Sequence, residues 1–450
     1  MNDDQSGFAT IDELGQRYRT GELTPVAVVE HMLARIDALN PTLNAFITVT
    51  AERAMAAAKE AAAALQAGHD RGPLHGIPIA LKDLIDTAGI RTTAGARILA
   101  DNIPTKNALL VDHLLNCGAL LIGKTNLLEF AYGIVHPDYG PTWNPWDPTR
   151  TAGGSSGGSA AAVTAGLCAA AVGTDTGGSI RIPAAYCGVV GLKPTYGLVS
   201  LEGVFPLSWS LDHAGPLART CQDAAYLLNA LCGRPLQPLP AVELTTVRFG
   251  ILTEHLEGAE MQPAVRAAFE ELCTRLRAAG ATLQPVAIPH LALADGALLT
   301  VIAPEASAIH ARWIKERPDD YAPLTRQQIE LGFVIPGVAQ VRAQQFRRYL
   351  TTQFLQVLEQ MDVILSPTAP WVAPHEDPAV VGDEGAAEAR RTGPYNLTGL
   401  PALTLNCGFS AEGLPIGVQL AGRPYTDDAL LAIGAAIEGL LPEFTGRHPD

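Results

Sequence analysis

The chain has 450 residues, 48% of them hydrophobic and 17% charged, with a formal net charge of -15 at pH 7. That balance excludes a disordered or fibrous chain and leaves room for a sizeable core. The negative charge repels phosphate backbones and anionic membranes, so neither nucleic acid nor membrane is an expected partner, and a neutral or cationic small molecule is the easier one. Met1-Asn2-Asp3-Asp4 is acidic with no apolar stretch behind it, which reads as no secretory signal and a cytoplasmic protein. The longest small-and-apolar run, Ala160 to Gly173, is shorter than the roughly 18–20 residues that cross a bilayer and reads as a buried helix. Seven scattered cysteines (Cys117, Cys168, Cys187, Cys221, Cys232, Cys273, Cys407) lack CxxC spacing, so neither a disulfide framework nor a zinc site is expected.

In chain order, Thr24-Pro25 pairs an N-cap with proline at the first helical position, and Val28, Met32, Ile36 and Leu39 follow at helical spacing. An alanine-rich helix covers about 52–66. Ile77 to Leu81 reads as a short buried strand with Lys82 where it ends, and Ala119 to Ile122 as another. The small residues from Ser159 to Ala171 predict a closely packed helix. Alternation of strands and helices implies an α/β layered core. Leu231 to Thr245, with Pro235, Pro238 and Pro240, is a connector. Beyond it come a strand at 247–252, an amphipathic helix at 263–279, a strand at 281–288, a long helix at 338–360 and a strand at 363–365. Pro374 to Thr392 is polar and acidic enough for a mobile loop that could cover a cleft. A hairpin of 402–407 with 416–420 and a helix over 426–439 close the chain, which is kept as one domain.

Gly118-Ala119-Leu120-Leu121-Ile122-Gly123-Lys124-Thr125 matches the phosphate-loop pattern letter for letter. That loop must follow a strand and open a helix, whereas here the residues between the glycines look like the strand itself. Gly154-Ser155-Ser156-Gly157-Gly158 satisfies G-x-S-x-G, but the stretch before it, Asp147 to Ala152, reads as loop where a nucleophile elbow needs a core strand. His213 beside Asp212 is the one histidine next to an acid soon after the serines, which keeps a Ser-His-Asp triad as a minor alternative.

Without histidine, a serine nucleophile needs another base, and lysine serves only when neutral. A free lysine, with a pKa of about 10.4, is neutral less than roughly one time in a thousand at pH 7 unless desolvation lowers that value. Lys82, at the end of a buried strand, is the best placed; Lys124 and Lys193 are less well placed. The bland reading of Lys82 is a structural ion pair with Asp83 or Asp86.

Taken with Ser155 and Ser179, Lys82 makes the resemblance specific: the chain resembles the amidase signature family of serine hydrolases. The matching text is Gly76-Ile77-Pro78-Ile79-Ala80-Leu81-Lys82-Asp83, Gly123-Lys124-Thr125-Asn126, Glu129-Phe130-Ala131, Asn144-Pro145-Trp146-Asp147-Pro148, Gly153 to Ser159, Gly173 to Pro183 and Gly191-Leu192-Lys193-Pro194-Thr195. It is dense from about Leu74 to Thr220 and thin after Thr245. The resemblance implies a single large α/β domain with a central mixed β-sheet covered by helices on both faces. Residues 1–70 would be a helical N-terminal segment and 71–450 the signature domain, with core motifs at 74–220 and a variable, substrate-shaping part at 246–440.

The same resemblance implies Ser179 as nucleophile, Ser155 as a bridging serine after a cis peptide, and Lys82 as base. Thr176, Gly177 and Gly178 would form the oxyanion hole and Ser156 would support the relay, with Asp175 and Arg181 an ion pair holding the loop. Tyr132 and Ile134 are candidate substrate contacts, although an aromatic there is more often core packing. No metal and no cofactor are expected. The expected activity is cleavage of a C–N bond in a small, uncharged or aryl amide by a monomer or homodimer. Alternatives are an aryl carbamate (urethane), urea or ester as substrate, or the A-type glutaminase component of a tRNA-dependent amidotransferase.

Overall fold

Thr24 caps the helix Pro25–Leu43 by accepting a hydrogen bond from the Ala27 N–H, and Pro25 occupies its first turn. The alanine-rich helix follows as Ala51–Gln66. In the computed structural model, which describes residues 3–378 and 383–449, these helices pack beside a mixed sheet of eleven strands. The strands of the first half are β1 (Phe46–Val49), β2 (Pro78–Lys82), β3 (Leu120–Thr125), β4 (Trp143–Asn144), β5 (Asp147–Thr151), β6 (Ala170–Asp175), β7 (Val190–Lys193) and β8 (His213–Ala218). Those of the second half are β9 (Arg248–Leu252), β10 (Thr282–Val286), β11 (Val363–Pro367), β12 (Ala402–Phe409) and β13 (Pro415–Ala421). The large sheet runs β1-β3-β2-β6-β8-β7-β12-β13-β11-β9-β10, and β4 pairs only with β5.

The sheet positions the site through β2. All five of its residues are buried, flanked by β3 and β6, and both pairings are parallel. A strand buried on both faces reads as an unbroken apolar run, which is why it was legible in sequence. The carboxyl ends of β2, β3 and β6 open on one edge, the usual place for ligands in parallel α/β sheets.

Several expectations need correction. The run from Ala160 to Gly173 is not one helix: Gly157–Thr164 is helical, Gly166 turns the chain at φ 66°, and Ala170 begins β6. Small residues carry no period that would tell the two states apart. The stretch before Gly153 is β5 rather than loop, although it pairs with β4 outside the main sheet. The first 70 residues are not purely helical, since β1 joins the main sheet antiparallel to β3. In the expected loop at 374–392, residues 379–382 lie outside the described residues, and Asp383–Ala389 and Gly393–Thr398 are helical. The helix Ala294–Glu316 was not anticipated. It belongs to an apolar stretch, Leu291–Glu316, of the length and composition of a membrane span, half of it buried within the fold.

Candidate active site

Lys82 stands at the end of β2 with no exposure to solvent. Its Nζ lies 2.7 Å from Ser155 Oγ, 2.9 Å from Ser156 Oγ and 2.9 Å from Thr174 Oγ1. Burial pulls its pKa down from 10.5 to about 7, against the opposing pull of the Asp175 and Asp212 charges. Three hydroxyls around an ammonium satisfy all its donors. Around a neutral amine, one contact reverses and a hydroxyl donates to the nitrogen lone pair.

The two serines on Lys82 are not equivalent. Ser156 Oγ donates to the Thr174 carbonyl at 3.1 Å and accepts from the Thr174 N–H at 3.2 Å, so its proton is committed. Gly173 makes room for it, because a Cβ there would sit 2.8 Å from Ser156 Oγ. Ser155 follows a cis Gly154–Ser155 peptide bond, and its hydroxyl donates to no protein acceptor among the described residues. Of the two serines, Ser155 is thus the one that touches Lys82 with an uncommitted proton.

Ser179 lies close to this pair. It lines the same cavity as Ser155, and its carbonyl accepts from the Ser156 N–H at 3.1 Å, which ties the two serine loops together. No side-chain hydrogen bond joins Ser155 to Ser179 among the described residues; such contacts often tighten only when substrate is bound. The backbone N–H groups of Gly177, Gly178 and Ser179 also have no protein acceptor among the described residues. Gly178 has φ 146°, and a Cβ would meet Thr392 Oγ1 at 2.4 Å, so only glycine keeps this loop.

The loop is pinned from below. Asp175 and Arg181 form a fully buried ion pair at 2.9 Å, and Asp175 also accepts from the Ile180 N–H. Thr176 donates its hydroxyl to Asp212 at 2.7 Å, and Asp212 accepts as well from the Leu207 and Ser208 N–H groups. Asp212 thus braces the loop instead of serving His213. That histidine sits 3.1 Å from Lys193 and 3.2 Å from the Asp175 carbonyl, bonded to no serine among the described residues. Lys124, on β3, is held by Asp83, Thr92 and the Ile85 carbonyl, and only a three-residue 3-10 helix, Glu129–Ala131, follows the strand, not the α-helix a phosphate loop opens.

The cavity above Ser179 has a volume of about 100 Å³. Its walls are mainly apolar, from Leu128, Ile182, Leu207, Leu298, Ile302 and Ala389. Tyr132 lines it, 2% exposed, while Ile134 does not and is bonded instead to Thr325 and Glu129. Sequence reasoning missed Thr174, Leu298, Ile302 and two acids on the cavity wall, Asp377 and Glu388. Thr174 lay inside a quoted motif. Leu298 and Ile302 sit four residues apart on the unanticipated helix, and the acids in a stretch whose polarity suggested solvent.

A protein-family model described as Amidase matches residues 27–431. A relative from Chloroflexus aurantiacus, the A-type component of a glutamyl-tRNA(Gln) amidotransferase, is 42% identical over 95% of this chain and 95% of its own. Among solved structures, one described as an amidase is 37% identical with a TM-score of 0.88, covering 96% of this chain and 99% of that one. The native peptide amidase of Stenotrophomonas maltophilia is 31% identical with a TM-score of 0.82, covering 98% of each chain.

Proposed function

The chain belongs to the amidase signature family of C–N hydrolases, and on that premise we propose that it cleaves the C–N bond of a small amide through an acyl-enzyme on Ser179. The observation that carries the reading is a buried lysine, with a pKa of about 7, bonded to a serine whose own proton is uncommitted.

In this reading neutral Lys82 takes the Ser155 proton, Ser155 takes the Ser179 proton, and Ser179 Oγ bonds to the substrate carbonyl carbon. The carbonyl oxygen becomes an oxyanion held by the N–H groups of the Thr176–Ser179 run. Each such donor contributes on the order of 3 kcal/mol to the transition state. As the C–N bond breaks, the proton returns through Ser155 to the departing nitrogen. Water then enters by the same path and releases the acid. Seven free cysteines suit a reducing compartment, and the protein is read as acting in the cytoplasm without a cofactor.

A second reading is favoured by the likeness in sequence to the A-type components of amidotransferases, which supports it better than any likeness supports a carbamate or ester substrate. There the substrate would be glutamine and the ammonia would pass to a partner protein. Against it, no lysine or arginine lines the cavity among the described residues to receive the glutamine carboxylate.

The test is a panel of primary amides, anilides, carbamates, ureas, esters and glutamine, assayed on the purified chain with Ser179→Ala as control. Amide turnover by the lone chain, abolished in Ser179→Ala, supports the first reading. Glutamine turnover that appears only with amidotransferase partner proteins and charged tRNA supports the second.

A further inference from the structure

One wall of the cavity is chemically unlike the rest. Among apolar side chains it carries the carboxyl groups of Glu388 and Asp377. Each is built in: Tyr186 donates its hydroxyl to Glu388 Oε1 at 2.6 Å, and Thr151 donates to Asp377 Oδ1 at 2.6 Å. Trp371 Nε1 in turn donates to the Tyr186 oxygen at 2.7 Å. The indole and phenol thus form a relay that presents an oriented carboxyl to the cavity.

The carboxyls lack a countercharge, since no lysine or arginine lines the cavity among the described residues. Burial pushes the Glu388 carboxyl up to about 8, raised further by Asp377 and lowered by the Tyr186 bond, and burial pushes Asp377 up to about 6. Near pH 7 Glu388 therefore keeps its proton until a positive charge stands beside it and favours the ionised form. A separate observation points the same way. Tyr132, on the same cavity and 2% exposed, has a hydroxyl with no hydrogen-bond partner among the described residues. A buried polar atom left open in a cavity is completed by what enters it.

We infer that Glu388, with Asp377 and the Tyr132 hydroxyl, is a recognition site for a cationic group, so that the preferred substrates are small amides bearing a protonated amine. The inference rests on the proposed amide hydrolysis at Ser179 and names its substrate class. An ammonium supplies the missing charge and donates to the carboxyls, while a carboxylate on the substrate meets two acids and no cation.

The test measures binding, by titration calorimetry, of 3-aminopropanamide, butanamide and malonamate to the Ser179→Ala protein. These are cationic, neutral and anionic amides of similar size. The expected order is 3-aminopropanamide first and malonamate last. Adding Glu388→Gln should shrink the preference for 3-aminopropanamide over butanamide by about 10- to 100-fold, as for loss of a hydrogen bond to a charged group. Tyr186→Phe, which removes only the hydroxyl, should shrink it by about tenfold and serves if Glu388→Gln does not fold. Malonamate binding as tightly as 3-aminopropanamide, a preference unchanged in both variants, or no binding of any of the three overturns the inference. A cationic preference in binding with no Ser179-dependent turnover would count against the proposed function and not against the recognition site.

Discussion

In the proposed relay Lys82 can act as a base because burial makes its charge costly. Full burial lowers its pKa from 10.5 to about 7, which makes a base available near neutral pH. The sign of the resulting pH dependence follows directly. The proposed relay requires neutral Lys82, so kcat/KM should rise as pH passes upward through about 7. Between about pH 7 and 10.5 the unfolded chain binds more protons at this residue than the folded one, so stability rises with pH in that window and levels off below it. Relative to Lys82→Met, the parent protein should gain up to roughly 3 kcal/mol between pH 7 and pH 9, read from urea unfolding at both values. An equal difference at both pH values would show that Lys82 is not neutralised by folding. That Lys82, Ser155 and Ser179 come together at one place was legible in sequence because their motifs are long and ordered. Glu388 and Asp377 were not, because a buried acid and a solvated one are the same letter until the fold supplies Tyr186 and Thr151 as donors.

At the scale of elements, legibility followed burial pattern. Strand β2 showed as a continuous apolar run, and Pro25–Leu43 showed through its Thr24 cap. The helix Ala294–Glu316 was hidden because it contains Pro304 and buries residues toward both the core and the cavity, which blurs a single apolar stripe. The acidic stretch after Asp383 concealed a helix that brings Glu388 to the cavity wall. The hidden long helix has a measurable role. Leu298 is 7% exposed and lines the cavity, so Leu298→Ala should cost about 2–3 kcal/mol of stability and shift the amide preference toward bulkier acyl groups. Chemical unfolding and a chain-length series of amides check both. Unchanged stability with unchanged acyl preference would remove this helix from the pocket wall. At Gly178 the backbone conformation and the Thr392 contact leave no room for a side chain, so Gly178→Ala should lower kcat by about 100-fold or more. A near-native kcat in that variant would mean the loop does not hold the oxyanion.

At the scale of the molecule, one sheet gathers distant text into one site. Lys82 comes from β2, Ser155 from the turn before the helix Gly157–Thr164, Ser179 from the loop after β6, and Glu388 from near the end of the chain. The α/β class was readable from alternation, but the strand order was not. Neighbours such as β8 with β6, or β12 with β7, are set by long-range packing that leaves no local trace. The antiparallel pairing of β1 with β3 likewise makes the N-terminal region part of the sheet that carries the site. Because every group of the relay lies in this one chain, the chain by itself should show serine-hydrolase reactivity, without any partner protein. The most direct measurement is labelling of the purified protein by a fluorophosphonate, with the labelled residue identified by peptide mass. Labelling on Ser179 that slows by about 100-fold or more in Lys82→Ala is the predicted result. Labelling at another residue, or full-rate labelling of Ser179 without Lys82, would contradict it.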